Sequence, residues 1–367
     1  MRSKRWQDVK RILAIRLDNI GDVIMLTPAL RALHKAIPQV RITLMASPAG
    51  SQVAPLLPWV NEVFTWRAVW QDVSGALPLD SSRELELVEE LRKRDFDAAL
   101  IFTSFTQSPY PPASACYLAG IPLRIGQSKE FGGSLLTHWG KPPADHGHQV
   151  DRNLALLKLA GIPEAGRHME LQIPEGIQAE ADELLRSAEV DPGQAFILLA
   201  PGASCAARRY DPRRFAVVTQ LLAERTGLPV VIVGSQREKE ILSPVTDLAG
   251  CPGIVSLVGQ TSVPQLAGIV RRAALVIANN SAGLHLADAF RVPMVILYSG
   301  TEFESQWRPR FASSRLLRVG TECSPCYRFN CPFNMECLDI APEEVVEAAL
   351  DRLEKAGLGQ LAAQALS

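Results

Sequence analysis

Short apolar runs alternate with longer helical stretches along almost the whole chain, and no other feature restricts the fold as much. "RILAIRL", "RITLMAS" and "DAALIFTS" lie in the first half; "AFILLAPG", "LPVVIVGS", "AALVIANN" and "VPMVILYSG" lie in the second. Such runs, rich in Val, Ile and Leu and too short for helices, read as strands buried on both faces. With helical segments between them they predict βαβ units and parallel sheets. A chain of 367 residues with 47% hydrophobic content exceeds one ordinary core and fits two domains. The Gly- and Pro-rich stretch "GIPEAGRHMELQIPEG" lacks strong periodicity, which places a linker at 162–176 and domains at 1–170 and 171–345, with a C-terminal helix and tail at 346–367. Each half is expected to open on a strand, a short polar loop and a helix. The expected fold is α/β, two Rossmann-like doubly wound domains facing each other across a cleft, with ligands at the carboxyl ends of the strands.

Charge and missing signatures exclude several functions. The net charge is -1, and the basic residues are scattered rather than striped, so no nucleic-acid footprint appears. No apolar stretch of signal-peptide type follows the basic "MRSKRWQDVKR", and no run reaches the roughly 18 apolar residues of a membrane span. These observations predict a soluble, cytoplasmic protein. There is no GxGxxG after the first strand, no GxxxxGK[ST] and no HExxH. His146 and His148 in "DHGHQVDRN" lack further ligands at metal spacing and read as a polar loop.

Three loops at strand ends carry the candidate chemistry. In "AIRLDNIGDVIMLTPALRAL" Gly21 permits a tight turn and Asp22 falls at or near the start of the helix through "VIMLTPALRAL". Position alone allows a helix cap that complements the dipole, and Asp18 reads as a turn residue. In "APGASCAARRYDPRRF" small residues let a ligand approach the backbone, Ser204 offers a hydroxyl, and Arg208 and Arg209 have a spacing suited to a diphosphate, though an Arg pair before a helix is also ordinary solvated charge. In "ANNSAGLHLADAF" Asn279 and Asn280 end a strand, and Ser281 can cap the next helix. The free N–H groups of that helix start form an anion site with His285 one turn in, or His285 is a core histidine. Two anion-compatible loops in one half favour a nucleotide diphosphate.

Four of the seven cysteines, Cys323, Cys326, Cys331 and Cys337, crowd into "CSPCYRFNCPFNMEC" at C-x2-C-x4-C-x5-C spacing. Sulfur ligands at such spacing suit a structural zinc or a single iron. Free thiols in a loop are the alternative.

"IRLDNIGDVIMLTPALRAL", "APGASCAARRYDPRRFAVV", "VIVGSQREKE" and "ANNSAGLHLADAFRVPMVILYSGTE", in this order, resemble glycosyltransferase family 9, the bacterial ADP-heptose:lipopolysaccharide heptosyltransferases, from about 11 to 350. The resemblance implies a GT-B fold, with the N-terminal domain for the acceptor, the C-terminal domain for an ADP-sugar donor, and a C-terminal helix crossing back onto the first domain. It implies inverting transfer without a divalent metal or other catalytic cofactor, to a glycan or glycolipid acceptor such as the lipopolysaccharide inner core at the inner membrane face. Asp22 matches the family's catalytic base, while Asp18 matches no essential position. Ser204 and Arg208 correspond to donor-phosphate contacts, Glu238 to a ribose contact, and Ser281, Ala282, Gly283 and His285 to the diphosphate loop. Some relatives carry a similar cysteine finger, which implies a structural role for the four cysteines. The acceptor is expected beside "TSFTQSPYPPASACYLAGIPLRIG", which offers hydroxyls and Tyr110.

One departure bears on the donor. Many members have Asp where this chain has Asn280 and Gly where it has Ala282. Asn keeps hydrogen-bonding capacity but removes a negative charge beside the donor, which bears on sugar and nucleotide preference. A sugar-nucleotide epimerase and a non-catalytic sugar-nucleotide-binding protein share the expected architecture and are the rival functions.

Overall fold

The computed structural model describes residues 6–358 apart from Ser74 and Leu79; the tail expected at the end of the chain, 359–367, lies outside the described residues. The chain divides into two compact units between Glu170 and Leu171.

The first unit holds β1 (Arg11–Arg16), β2 (Arg41–Ala46), β3 (Glu62–Thr65), β4 (Ala98–Ile101), β5 (Leu123–Gln127) and β6 (His138–Gly140). They form one parallel sheet in the order β3-β2-β1-β4-β5-β6, with Ile12 opposite both Ile42 and Ala98. From Ile12 onward every residue of β1 is buried, as a central parallel strand covered on both faces requires. Leu13 and Ile15 face one core with Leu87, Leu91 and Cys116 from the helices Ser81–Lys93 and Tyr110–Leu118.

The second unit holds β7 (Ile197–Ala200), β8 (Val230–Ile232), β9 (Ile254–Ser256), β10 (Leu275–Asn279), β11 (Met294–Leu297) and β12 (Ser314–Leu317) in the order β12-β11-β10-β7-β8-β9. Counted within the unit and read from the other edge, this is the strand order of the first sheet. Both are therefore doubly wound sheets of the same topology. The unit does not open on a strand as expected: the helix Glu175–Ser187 precedes β7 and packs on the helix Val263–Arg272 through Ala181 and Gly268. The helix Pro342–Lys355 buries Val345, Val346, Ala349 and Leu353 in the core of its own unit with Phe215, Val218 and Leu222. That apolar stripe joins the helix to the second sheet.

Helix ends follow local chemistry. Asp211 accepts from Arg213 N–H at 2.7 Å, Pro212 opens the helix Pro212–Thr226, and Gly227 ends it in the left-handed region at φ 62°. The segment predicted as one helix from Asp22 is two, Ile20–Ile24 and Thr27–Ala36; Pro28 in the first turn of the second starts a new helix. Asp288 accepts three backbone N–H bonds, from Arg310 at 3.0 Å, Phe311 at 2.8 Å and Ala312 at 2.9 Å, and so holds the chain that leads into β12. Asp288→Ala leaves those donors without their carboxylate and should destabilise the second unit by about 3 kcal/mol. Chemical denaturation checks this, and a change within error would show that the loop does not depend on the contact.

Candidate active site

In a doubly wound sheet the strands either side of the first one send their connections to opposite faces, leaving a crevice at the carboxyl ends. That crevice lies between β1 and β4 in the first unit and between β7 and β10 in the second. Both contain the polar residues singled out by the sequence.

In the first unit, Arg16 ends β1 and is completely buried. Its Nη2 donates to Asp22 Oδ1 at 2.6 Å and to Ser104 Oγ, beyond β4, at 2.8 Å. Its Nε lies 3.1 Å from Asp18 Oδ2. The Asn19 N–H donates to Asp22 Oδ2 at 3.1 Å. Asp22 therefore caps the helix Ile20–Ile24 and is also gripped by a buried cation, so the capping reading and a chemical role do not compete. Asp18 is not a solvated turn residue: its side chain is 11% exposed, and Gln107 Nε2 donates to its other oxygen. Burial pushes its carboxyl above the ordinary value, Arg16 opposes the rise and the charge of Asp22 adds to it. Arg152, from the helix Gln149–Leu159, donates through Nε to Thr103 O at 3.1 Å. Burial and the adjacent Arg16 push it down to about 10. Sequence reasoning missed Arg16; the available signal was a charge at the end of the otherwise apolar "ILAIR".

Tyr110 donates its hydroxyl to Glu130 O at 2.6 Å, and the segment expected to lie beside an acceptor follows β4 and comprises the helix Tyr110–Leu118 and the strand β5. His148 Nδ1 accepts from Val150 N–H at 3.1 Å and caps the helix Gln149–Leu159.

In the second unit, Asn279 is fully buried and stitches the crevice together, donating to Pro201 O at 2.6 Å and accepting from Tyr210 N–H at 3.1 Å. Between those two contacts runs the loop with exposed Ser204 and half-buried Arg208. Arg208 pairs with Glu302 through Nη2, and its Nε donates to Thr301 Oγ1 at 3.4 Å. Arg209 turns back instead and donates to Ala203 O at 3.1 Å, so the two arginines of the pair part company. Asn280 Nδ2 donates to Glu302 Oε2 at 3.2 Å. Glu302, which follows β11, is the residue of this site that sequence reasoning missed. Glu238 follows β8, accepts from Ser235 N–H at 2.9 Å, and presses on Gly202, where an added Cβ would fall 2.3 Å from Glu238 Oε1. Ser281 occupies the N-cap position of the helix Ala282–Phe290 without a side-chain cap bond. Gly283 packs closely on Ala200, and His285 is buried. The loops after β7, β8, β10 and β11 thus meet around one cationic side chain and one helix N-terminus, an arrangement that holds anions.

The cysteine segment follows β12. Cys323 is exposed and Cys326, Cys331 and Cys337 are half-buried, all as free thiols. Among the described residues no group of three or more His, Cys, Asp or Glu is placed to hold a metal ion. The backbone of the segment is paired to the loops beside it. Cys326 N–H donates to Gly300 O at 3.0 Å, Tyr327 N–H to Thr301 O at 2.8 Å, and Ala207 N–H to Phe329 O at 3.0 Å. Burial raises the Cys337 thiol, with the other three thiols adding to the rise. The four side chains as placed do not form the expected zinc or iron ligand set.

Among the described residues no helix is long and apolar enough to cross a membrane. The profile of glycosyltransferase family 9 (heptosyltransferase) matches residues 85–336. Lipopolysaccharide heptosyltransferase 3 of Escherichia coli is 24% identical over 341 residues, covering 91% of this chain and 96% of the relative. Lipopolysaccharide heptosyltransferase 2 of Escherichia coli K12 is 25% identical over 354 residues, covering 92% and 97%. The solved structure of Escherichia coli ADP-heptose lps heptosyltransferase II superposes with a TM-score of 0.73 at 22% identity, covering 97% of this chain and 100% of that one. With the family profile spanning more than half of the chain and the doubly wound units matching the family's α/β architecture, the chain belongs to glycosyltransferase family 9, the heptosyltransferases, and is a glycosyltransferase.

Proposed function

We propose that this enzyme moves a heptosyl group from an ADP-linked sugar to a saccharide of lipopolysaccharide inner-core type, with inversion at the anomeric carbon, at the cytoplasmic face of the inner membrane. The observation that carries the reading is the chemical contrast between the two crevices. One presents a carboxylate held by a buried arginine, and the other an arginine beside a helix N-terminus. A single displacement needs those two capacities: a base for the attacking hydroxyl, and donors for the departing diphosphate. The names of the relatives, lipopolysaccharide heptosyltransferases 2 and 3, support the sugar and the acceptor.

In this mechanism Asp22 accepts the proton of the acceptor hydroxyl as that oxygen attacks the anomeric carbon. The bond from that carbon to the diphosphate oxygen breaks on the opposite side, and the electron pair leaves with ADP. The developing charge falls on Arg208, on the Ser204 hydroxyl, and on the N–H groups opened by Ser281, Ala282 and Gly283, with His285 one turn in. Asn280 and Glu302 hold Arg208 in place, and Glu238 is positioned for the ribose. Each role has a protein group to fill it, so no step passes through a metal.

Asp22→Asn keeps the volume and the contact with the Asn19 N–H but loses the base, so turnover should fall by at least ~100-fold with ADP affinity nearly unchanged. Turnover at the wild-type rate would remove Asp22 from the mechanism. Arg208→Ala and His285→Ala should each weaken ADP binding by about tenfold or more in calorimetric titrations; unchanged affinity in both would sink the anion-site assignment. Supplying ADP-heptose alone and with heptose-deficient lipopolysaccharide tests the reaction itself. Acceptor-dependent ADP release is expected, whereas rearrangement of the donor without acceptor would mark an epimerase.

A further inference from the structure

The mechanism above leaves Asp18 unused, although its carboxylate is buried against the same guanidinium as the base. Arg16 Nη2 donates to Asp22 Oδ1 at 2.6 Å while Nε lies 3.1 Å from Asp18 Oδ2. Gln107 fixes the second oxygen of Asp18 and itself reaches Gln71 Oε1 at 3.4 Å. Ser47 Oγ donates to the Asp18 carbonyl and the Gly50 N–H donates to Ser47 Oγ at 2.9 Å. Asp18 is thereby anchored from the chain beyond β2 and from the chain beyond β4, and cannot swing away to solvent. Nothing in helix capping requires a second carboxylate here, since Asn19 and Asp22 complete the capping box.

We propose that Asp18 is a positioning residue that sets the base strength of Asp22 through the guanidinium they share. The proposal rests on the reading of Asp22 as the base. A carboxylate in sole possession of a buried arginine is held well below the ordinary carboxylate range, which makes it a weak proton acceptor. Sharing the arginine with a second anion divides that compensation between two carboxylates. The acceptor proton still goes to Asp22; Asp18 takes none. The other charges around the pair come from Arg152, on the helix Gln149–Leu159 beside Arg16, and from Asp145, which offsets Arg152. Ser104, Gln107 and the Asn19 N–H are neutral donors. With Asp145 set against Arg152, Arg16 faces two carboxylates, so removing the Asp18 charge leaves Asp22 alone with that guanidinium. The rise of the Asp18 carboxyl through burial, to which Asp22 adds, is consistent with the coupling.

Without the anion at 18, Asp22 gives up its proton more readily, so its ionisation midpoint falls and activity that needs ionised Asp22 extends to lower pH. In Asp18→Asn the acid limb of kcat/KM should move down by about one pH unit, and the plateau kcat should fall several-fold, about as expected for a weaker base, with KM for ADP-heptose little changed. Asp18→Ser should give the same direction. Carboxyl carbon-13 NMR titration, with Asp22 assigned through Asp22→Asn, reads the midpoint without any turnover and so separates this proposal from the reading beneath it. A lower Asp22 midpoint in both variants supports the coupling even if the acceptor has been misjudged. An unmoved midpoint in variants that stay folded and bind ADP overturns it, and so does a kcat loss with an unmoved acid limb, which is what mere loss of packing would give. If Asp22→Asn itself keeps wild-type turnover, the reading of the base fails instead.

Discussion

The polar ends of four central strands place the demand that organises both halves of this protein. Between β1 and β4, and between β7 and β10, the chain leaves neighbouring parallel strands towards opposite faces of the sheet. The backbone groups there have no further strand to pair with and lie beside a fully buried core. Each unit meets the demand with one buried polar side chain at the strand end. Arg16 reaches from β1 to Ser104 beyond β4, and Asn279 reaches from β10 to the carbonyl of Pro201 beyond β7. The same position that must be stitched for stability is the one open to a ligand, which is why a buried charge is tolerated there.

A charge so placed needs compensation, since burying an unpaired ion costs several kcal/mol. In the first unit two aspartates compensate Arg16. In the second, Glu302 compensates Arg208 and is in turn held by Asn280. This pairing gives a physical account of the asparagine where many family members carry aspartate. With Glu302 Oε2 3.2 Å from Asn280 Nδ2, an aspartate at 280 would set two carboxylates against each other around one arginine. The amide donates to Glu302 instead, so the negative charge of this corner sits at 302.

The seven strands read from apolar runs are all present, because a central parallel strand advertises itself by continuous burial. The strands that escaped reading, β3, β5, β6, β9 and β12, are three to five residues long and lack such a run. "SRLL" and "HWG" give no periodicity to count. Asp22 in the first unit, and Arg208 with the 280–285 segment in the second, stand in recognisable loop patterns, and the place of each at a strand end follows from the topology of its own sheet. Arg16, Asp18 and Glu302 were not legible in that way. Their significance lies in side-chain contacts 2 to 94 positions away in sequence, and a lone arginine at a strand end looks the same on paper whether it meets solvent or a carboxylate.

The cysteine segment contributes backbone contacts as well as thiols. Phe329 O accepts from the N–H of Ala207, next to Arg208, and Tyr327 N–H donates to the carbonyl of Thr301, next to Glu302. Arg318 Nη2 donates to Ser324 Oγ at 2.9 Å, and the Val319 N–H donates to Cys337 O at 3.0 Å, tying both ends of the segment to the chain leaving β12. Residues 321–337 therefore run as a strap from the edge of the second sheet across the two loops that carry the Arg208–Glu302 pair. A shift of the strap by one hydrogen bond would move the cation and its counter-ion together, so the geometry of the anion site depends on main-chain contacts whose donors and acceptors any residue type except proline could supply.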